Sequence, residues 1–181
     1  MNRLATTMLA LAVVPAIAMA DLDLVADDYE IEIHKISTEG VGESIGTVTL
    51  RDHEYGVLIR PDLEGLSPGL HGFHLHANPD CGPAEKDGET VAGAAAGGHF
   101  DPDNTGSHKG PFEEGHKGDL PALYVNEDGE ATIPELAPRL EFSDLEGHAL
   151  VIHEGGDNYS DDPKPLGGGG ARVACGVIES Q

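Results

Sequence analysis

The 181-residue sequence is poor in positive charge: 10 lysines and arginines stand against 33 aspartates and glutamates, a formal charge of −23 at neutral pH. Such a surface offers a nucleic acid no counterion release, which weighs against a polyanionic partner. It favours solubility, and any attraction for a small anion has to come from cations set close to the site. Long apolar runs are equally scarce. The single one, from about Met8 to Ile17, follows Asn2 and Arg3 and ends in Ala18-Met19-Ala20. It is shorter than the roughly 20 residues of a membrane span, and acidic chain resumes at Asp21 and Asp23. This is the layout of a secretory signal peptide, with an uncleaved anchor as the alternative. Cleavage after Ala20 is expected, with no stable membrane insertion of the mature chain, and the loss of Arg3 takes the charge to −24. No period of 20 to 50 residues recurs, and the only low-complexity tract is Gly167-Gly168-Gly169-Gly170. Residues 21–181 therefore read as one exported domain, long enough to bury its own core.

Only two cysteines occur, Cys81 and Cys175. In an exported chain an even pair reads as one disulfide, the other reading being two unpaired buried thiols. A loop closed 94 residues along the chain would stabilise the fold by roughly 4 to 5 kcal/mol on a chain-entropy argument. It would also tie the middle of the chain to its last strand.

No segment sustains a 3.6-residue apolar period over three turns, so little helix is expected. Strand patterns bounded by Gly, Pro, Asn or Asp cover Glu30 to Ile36, Ser44 to Asp52, Tyr55 to Leu63, Leu70 to His76, Leu120 to Val125, Glu130 to Ala137, His148 to His153 and Ala171 to Ile178. Eight short strands in one domain predict an antiparallel sandwich or barrel. Two stretches break the pattern, Ala77 to Asp119 and Glu154 to Gly170. Both are far longer than ordinary connections, which marks them as functional or disordered.

The histidines argue for function. Alternate strand residues share a face, so His74 and His76 project together while Phe73 and Leu75 point to the core. A bare His-x-His can also be two surface histidines. His153 ends a strand in which Leu150 and Ile152 take the core parity, which leaves its ring on the other face as a third ligand or a structural histidine. In the first long loop come His99, His108, His116 and Asp119, spaced by glycines and prolines that let the backbone wrap a centre. Three imidazoles and a carboxylate form a tetrahedral zinc set without an open position, hence a structural one. Zinc would also give this apolar-poor loop a reason to be ordered. These seven residues fall one short of two four-coordinate sites. A shared histidinate would close the gap, and so would a water on a copper ion held by the sheet imidazoles. His34, His53, His71 and His148 read as surface or structural residues.

From Leu70 to Ile178, and more loosely from Glu30, the chain resembles the bacterial copper/zinc superoxide dismutases. The resemblance is carried by Gly72-Phe73-His74-Leu75-His76, Gly97-Gly98-His99-Phe100-Asp101-Pro102, His108-Lys109-Gly110-Pro111, Gly115-His116-Lys117-Gly118-Asp119-Leu120-Pro121, Val151-Ile152-His153-Glu154 and the segment from Gly168 through Arg172 and Cys175 to Ile178. It implies one copper per subunit on His74, His76, His99 and His153, and one zinc on His99, His108, His116 and Asp119, with His99 as the bridge. It also implies a Cys81–Cys175 disulfide, Asp157 linking a copper histidine to a zinc histidine, and Arg172 as the cation that draws superoxide to copper, a role compatible with tethering loop backbone. The implied fold is an eight-stranded Greek-key β-sandwich or flattened barrel with two long functional loops. The implied location is the periplasm, and the implied state is a monomer or homodimer. The implied reaction alternates copper between two oxidation states, with His99 freed on reduction to take a proton and pass it to peroxide. Two rivals are weaker. A copper store of the same fold should have lost ligands or Arg172, and a zinc hydrolase needs the open position that Asp119 fills. A copper-only relative would lack His108, His116 and Asp119.

Overall fold

A computed structural model describes residues 28–180, and the expected signal peptide, residues 1–20, lies outside the described residues. Period-two alternation builds the first three strands. In β1 (Asp28–Ser37) Ile31 and Ile33 are buried, in β2 (Gly40–His53) Ile45, Val48 and Leu50, and in β3 (Gly56–Leu63) Val57, Ile59 and Leu63. One apolar face per strand suits an antiparallel sheet with its other side in water. The chain continues through β4 (Gly69–His71), β5 (Phe73–His76), β6 (Ala84–Lys86), β7 (Glu89–Val91), β8 (Leu123–Val125), β9 (Glu135–Ala137), β10 (His148–His153) and β11 (Arg172–Ile178). The main sheet has seven strands in the order β5-β10-β11-β1-β2-β3-β9, and β4 pairs with β8 separately. All the strand pairs are antiparallel. The last strand thus returns beside the first, next to the consecutive β1, β2 and β3.

The antiparallel all-β class is as expected; the strand count is not. Each of the eight anticipated segments has a counterpart, but eleven strands occur among the described residues. The segment Leu70 to His76 divides at Gly72, where the chain leaves β8 and joins β10. Gly72 lies outside both ladders; its N–H donates to the Gly155 carbonyl (2.7 Å) and its carbonyl accepts from His153 at the end of β10 (2.8 Å). A Cβ there would lie 3.2 Å from the His74 ring, so the corner wants glycine. The segment Ala77 to Asp119 is not irregular throughout, because β6 and β7 form a hairpin. Its turn, Asp87-Gly88, has φ of 54° and 85°, the left-handed pair of a tight hairpin turn. Of Glu130 to Ala137 only the last three residues form a ladder, with Ala131 touching Leu63 through a single bridge.

The main core includes Phe73, Leu75, Leu120, Leu123, Leu150, Ile152 and Ile178. A smaller cluster, Cys81, Ala96, Ala149, Val151 and Cys175, lies where the long loop meets β10 and β11. Cys81 and Cys175 are joined there as a disulfide across 94 residues. Replacing both cysteines by serine is expected to lower the unfolding free energy of the metal-free protein by about 2 to 5 kcal/mol. An unchanged guanidinium midpoint would show that the cross-link contributes nothing.

Glu135, on β9, has a buried Oε2 without a hydrogen-bond partner, and burial pushes its carboxyl up from 4.5 to about 8. The folded chain therefore keeps a proton there that the unfolded chain has lost, so this group's contribution to stability falls as pH rises from about 4.5 to about 8. Glu135→Gln is expected to remove that decline from a urea-midpoint profile against pH. Parallel profiles for the two proteins would mean that the carboxyl titrates normally.

Candidate metal centre

The sheet supplies three imidazoles. His74 and His76 stand on β5, opposite Val151 and Ala149 of β10, while Phe73 and Leu75 between them are fully buried in the core. His153 ends β10, where the ladder to β11 slips by a residue between Ile152 and His153. The outer edge of β5 is covered by the long loop. Single bridges join His76 to His99 and His74 to Asp119, and Leu75 exchanges main-chain bonds with Gly118 (2.9 Å) and Phe100 (2.8 Å). That pairing hides a sheet edge and at the same time delivers loop ligands to strand ligands.

Two four-residue groups result, each with ligand atoms within 4.8 Å of one another: His74, His76, His99 and His153, and His99, His108, His116 and Asp119. His99 belongs to both. In the second group three ring nitrogens converge on one carboxylate oxygen, since Nδ1 of His99, His108 and His116 lie 2.9, 3.0 and 3.3 Å from Asp119 Oδ1. With Nδ1 turned to Asp119, His99 keeps Nε2 for the first group.

The other ring nitrogens show what the centre needs. His74 Nε2–H donates to Asp157 Oδ2 (2.8 Å), His76 Nδ1–H to the Gly97 carbonyl (3.0 Å) and His153 Nδ1–H to the Gly170 carbonyl (3.2 Å). Each bond fixes a tautomer and leaves the opposite nitrogen as a lone pair. Those nitrogens, His74 Nδ1, His76 Nε2 and His153 Nε2, are buried without a hydrogen-bond partner. Buried polar atoms are rarely left so, and three orphan nitrogens in one group fit a metal cation.

Electrostatics agree. Burial, then the neighbouring His99, brings His74 down to about 3, and burial brings His153 down to about 4. His76 and His99 are lowered chiefly by burial as well. Neutral rings with free lone pairs are the form that binds metal. His108 runs the other way: burial opposes its charge, yet Asp119 and Asp157 on either side push it up to about 9. Burial notwithstanding, bonds from His108 hold both carboxylates far below the usual range. That spot is thus built to hold positive charge.

Asp157 sits between the groups, Oδ2 on His74 and Oδ1 on His108 Nε2, both at 2.8 Å. A Cβ on Gly167, whose φ is 71°, would come within 2.1 Å of Asp157 Oδ1, so only glycine fits beside it. Arg172 donates Nη2–H to the Gly97 carbonyl (2.6 Å) and Nη1–H to that of Gly93. With Lys86, Glu85 and His153 it also lines a cavity of about 550 Å³. His71 is buried and structural, its ring nitrogens 2.6 and 2.7 Å from the carbonyl oxygens of His153 and Ser67. Sequence reasoning missed Asp161, which accepts from the main-chain N–H groups of His108 (2.8 Å) and Leu166 (2.9 Å) and so ties the two long loops together. An acidic residue that bonds only backbone leaves no side-chain pattern to read.

An antiparallel β domain in which two buried, nitrogen-rich ligand sets share one histidine is a binuclear metalloprotein. The family profile described as copper/zinc superoxide dismutase matches residues 44–178. The second copper-zinc superoxide dismutase of Salmonella typhimurium is 54% identical over 172 residues, 94% of this chain and 98% of that one. The copper/zinc superoxide dismutase structure from Brucella abortus superposes with a TM-score of 0.83 at 47% identity, covering 84% of this chain and all of that one. The monomeric Salmonella enterica copper, zinc enzyme gives 0.76 at 55% identity, over 84% and 100% of the two chains. The chain belongs to the copper/zinc superoxide dismutase family.

Asp157→Asn puts this reading to a test. An amide keeps one acceptor but offers N–H where the other histidine needs an acceptor, so one ring must take the wrong tautomer. Copper or zinc affinity, measured by chelator competition, is expected to fall about 10- to 100-fold. Unchanged affinity for both ions would show that the link does not orient the ligands.

Proposed function

We propose that the protein is an exported enzyme that converts superoxide to oxygen and hydrogen peroxide, with copper on His74, His76, His99 and His153 and zinc on His99, His108, His116 and Asp119. The observation that carries the reading is the pair of ligand groups sharing His99, with orphan nitrogens in the first and three rings converging on Asp119 in the second. When bound, copper supplies the one-electron couple and zinc a fixed positive charge beside the shared ring. The chain's own groups do the rest. Arg172, immobilised by two carbonyls at the cavity wall next to His153, presents a fixed cation to an entering anion. One superoxide gives up an electron and leaves as oxygen; the second takes that electron and two protons and leaves as hydrogen peroxide. His99 Nε2 is the position from which one of those protons is delivered. The opposite nitrogen, 2.9 Å from Asp119 Oδ1, belongs to the zinc group, so the ring would keep its place as the proton moves.

The domain is residues 21–181, released by cleavage after Ala20 into the periplasm. The signal-type N-terminus supports export, and the Cys81–Cys175 disulfide suits an oxidising compartment. All the site residues come from one chain, so a monomer and a homodimer alike carry complete sites.

Decay of a superoxide pulse over the protein loaded with copper and zinc tests the proposal. Catalytic decay is expected, abolished by a copper chelator and strongly reduced in His99→Ala. Arg172→Met is expected to lower the rate about 10-fold or more and to flatten its dependence on ionic strength. Decay at the spontaneous rate with fully loaded native protein would overturn the enzyme reading in favour of copper storage.

A further inference from the structure

Two of the zinc-group residues, His116 and Asp119, sit on one short turn, and this turn is gripped from a segment that belongs to neither long loop. Arg139, just after β9, donates Nη1–H to the His116 carbonyl (3.0 Å) and Nη2–H to the Gly115 carbonyl (2.7 Å). The next residue of the turn, Lys117, pairs with Asp144 Oδ2 at 2.6 Å, the two side chains being only 20% and 16% exposed. Asp144 in turn accepts from the Glu141 N–H (2.7 Å) and closes a capping box with Glu141 around the 3-10 turn Phe142–Asp144. That segment is nailed to the core by Leu140 and Leu145, which are 3% and 0% exposed. The core therefore holds the turn at three consecutive residues, Gly115, His116 and Lys117, without touching an imidazole or the Asp119 carboxylate.

We propose that Arg139 is a positioning residue for zinc: together with the Lys117–Asp144 pair it latches the His116–Asp119 turn in its ligating shape before the ion arrives. The inference rests on the zinc assignment made above. Its physical basis is preorganisation. A turn this poor in apolar side chains has little burial to fix it, so without the latch the ion must order it on binding, at the cost of affinity. The planar fork of arginine matches two adjacent carbonyls, whereas a lysine ammonium is a point charge and cannot replace it.

The test is a zinc titration of the metal-free full chain against a chromophoric chelator. Arg139→Met is expected to weaken zinc binding about 10-fold or more, with Arg139→Lys recovering little of it. Cobalt bound at the same site should show altered visible bands in both variants, a change that mere loss of global stability would not produce. Zinc affinity and cobalt spectra within twofold of native in Arg139→Met would overturn the latch. Should that variant fail to fold, Lys117→Met, altered only at the rim, decides in its place: weaker zinc binding supports the latch and native affinity overturns it. Asp119→Ala separates the two levels. If it leaves zinc affinity intact, the zinc assignment itself falls; if it abolishes binding while Arg139→Met does not, only the latch falls.

Discussion

Six imidazoles buried within reach of one another are the constraint on which the rest of this structure depends. Water cannot solvate them and protons cannot neutralise the problem, because burial and mutual repulsion drive His74 and His153 far below the usual histidine range. Three ring nitrogens, those of His74, His76 and His153, consequently have nothing to bond. Such an arrangement is costly for a bare protein and favourable for one that binds cations, which links metal binding to folding directly. The exception proves the design: His108, flanked by Asp119 and Asp157, is the one ring pushed upward, and it marks where positive charge is needed even without an ion.

The fold meets this constraint by separating rigid from adaptable parts. β5 and β10 supply three rings whose directions are set by strand parity and by the packing of Phe73, Leu75 and Ile152 beneath them. The loops supply the remainder, and little apolar burial is available to hold them. They are fixed instead by side chains bonded to main chain: Arg172 on Gly93 and Gly97, Asp161 on His108 and Leu166, Arg139 on Gly115 and His116. Each is a charged group with an obligatory backbone partner, so each tie is stronger than a neutral bond of the same length. Asp157 then connects the two ligand groups to each other.

Much of this was legible in the sequence, for reasons that can be located. His74 and His76 could be paired because a strand has a period of two, and the loop ligands stood out because glycine and proline left those stretches no other reason to be ordered. The break at Gly72 was hidden because the apolar alternation continues smoothly while the strand changes partner. The β6–β7 hairpin carried a readable Asp87-Gly88 signal, but its strands are three residues each, too short to show a period. Arg139 and Asp161 were invisible for a different reason. Their partners are carbonyl and N–H groups 23 and 53 residues away, and every residue carries those groups alike.

The acidity of the chain is the remaining puzzle for a protein that acts on an anion, and distance resolves it. At physiological ionic strength, charges further than about 8 Å from the approaching ion are largely screened. The ionised groups on the wall of the cavity beside His153 are Glu85, Lys86 and Arg172. Two cations against one carboxylate give that wall the opposite sign to the chain as a whole. Arg172 cannot swing away: its guanidinium is bonded to Gly93 and Gly97, and Gly97 also accepts from His76. The same carbonyl thus orients the His76 imidazole and the Arg172 guanidinium, so ring and cation keep a fixed separation whatever the rest of the acidic surface does.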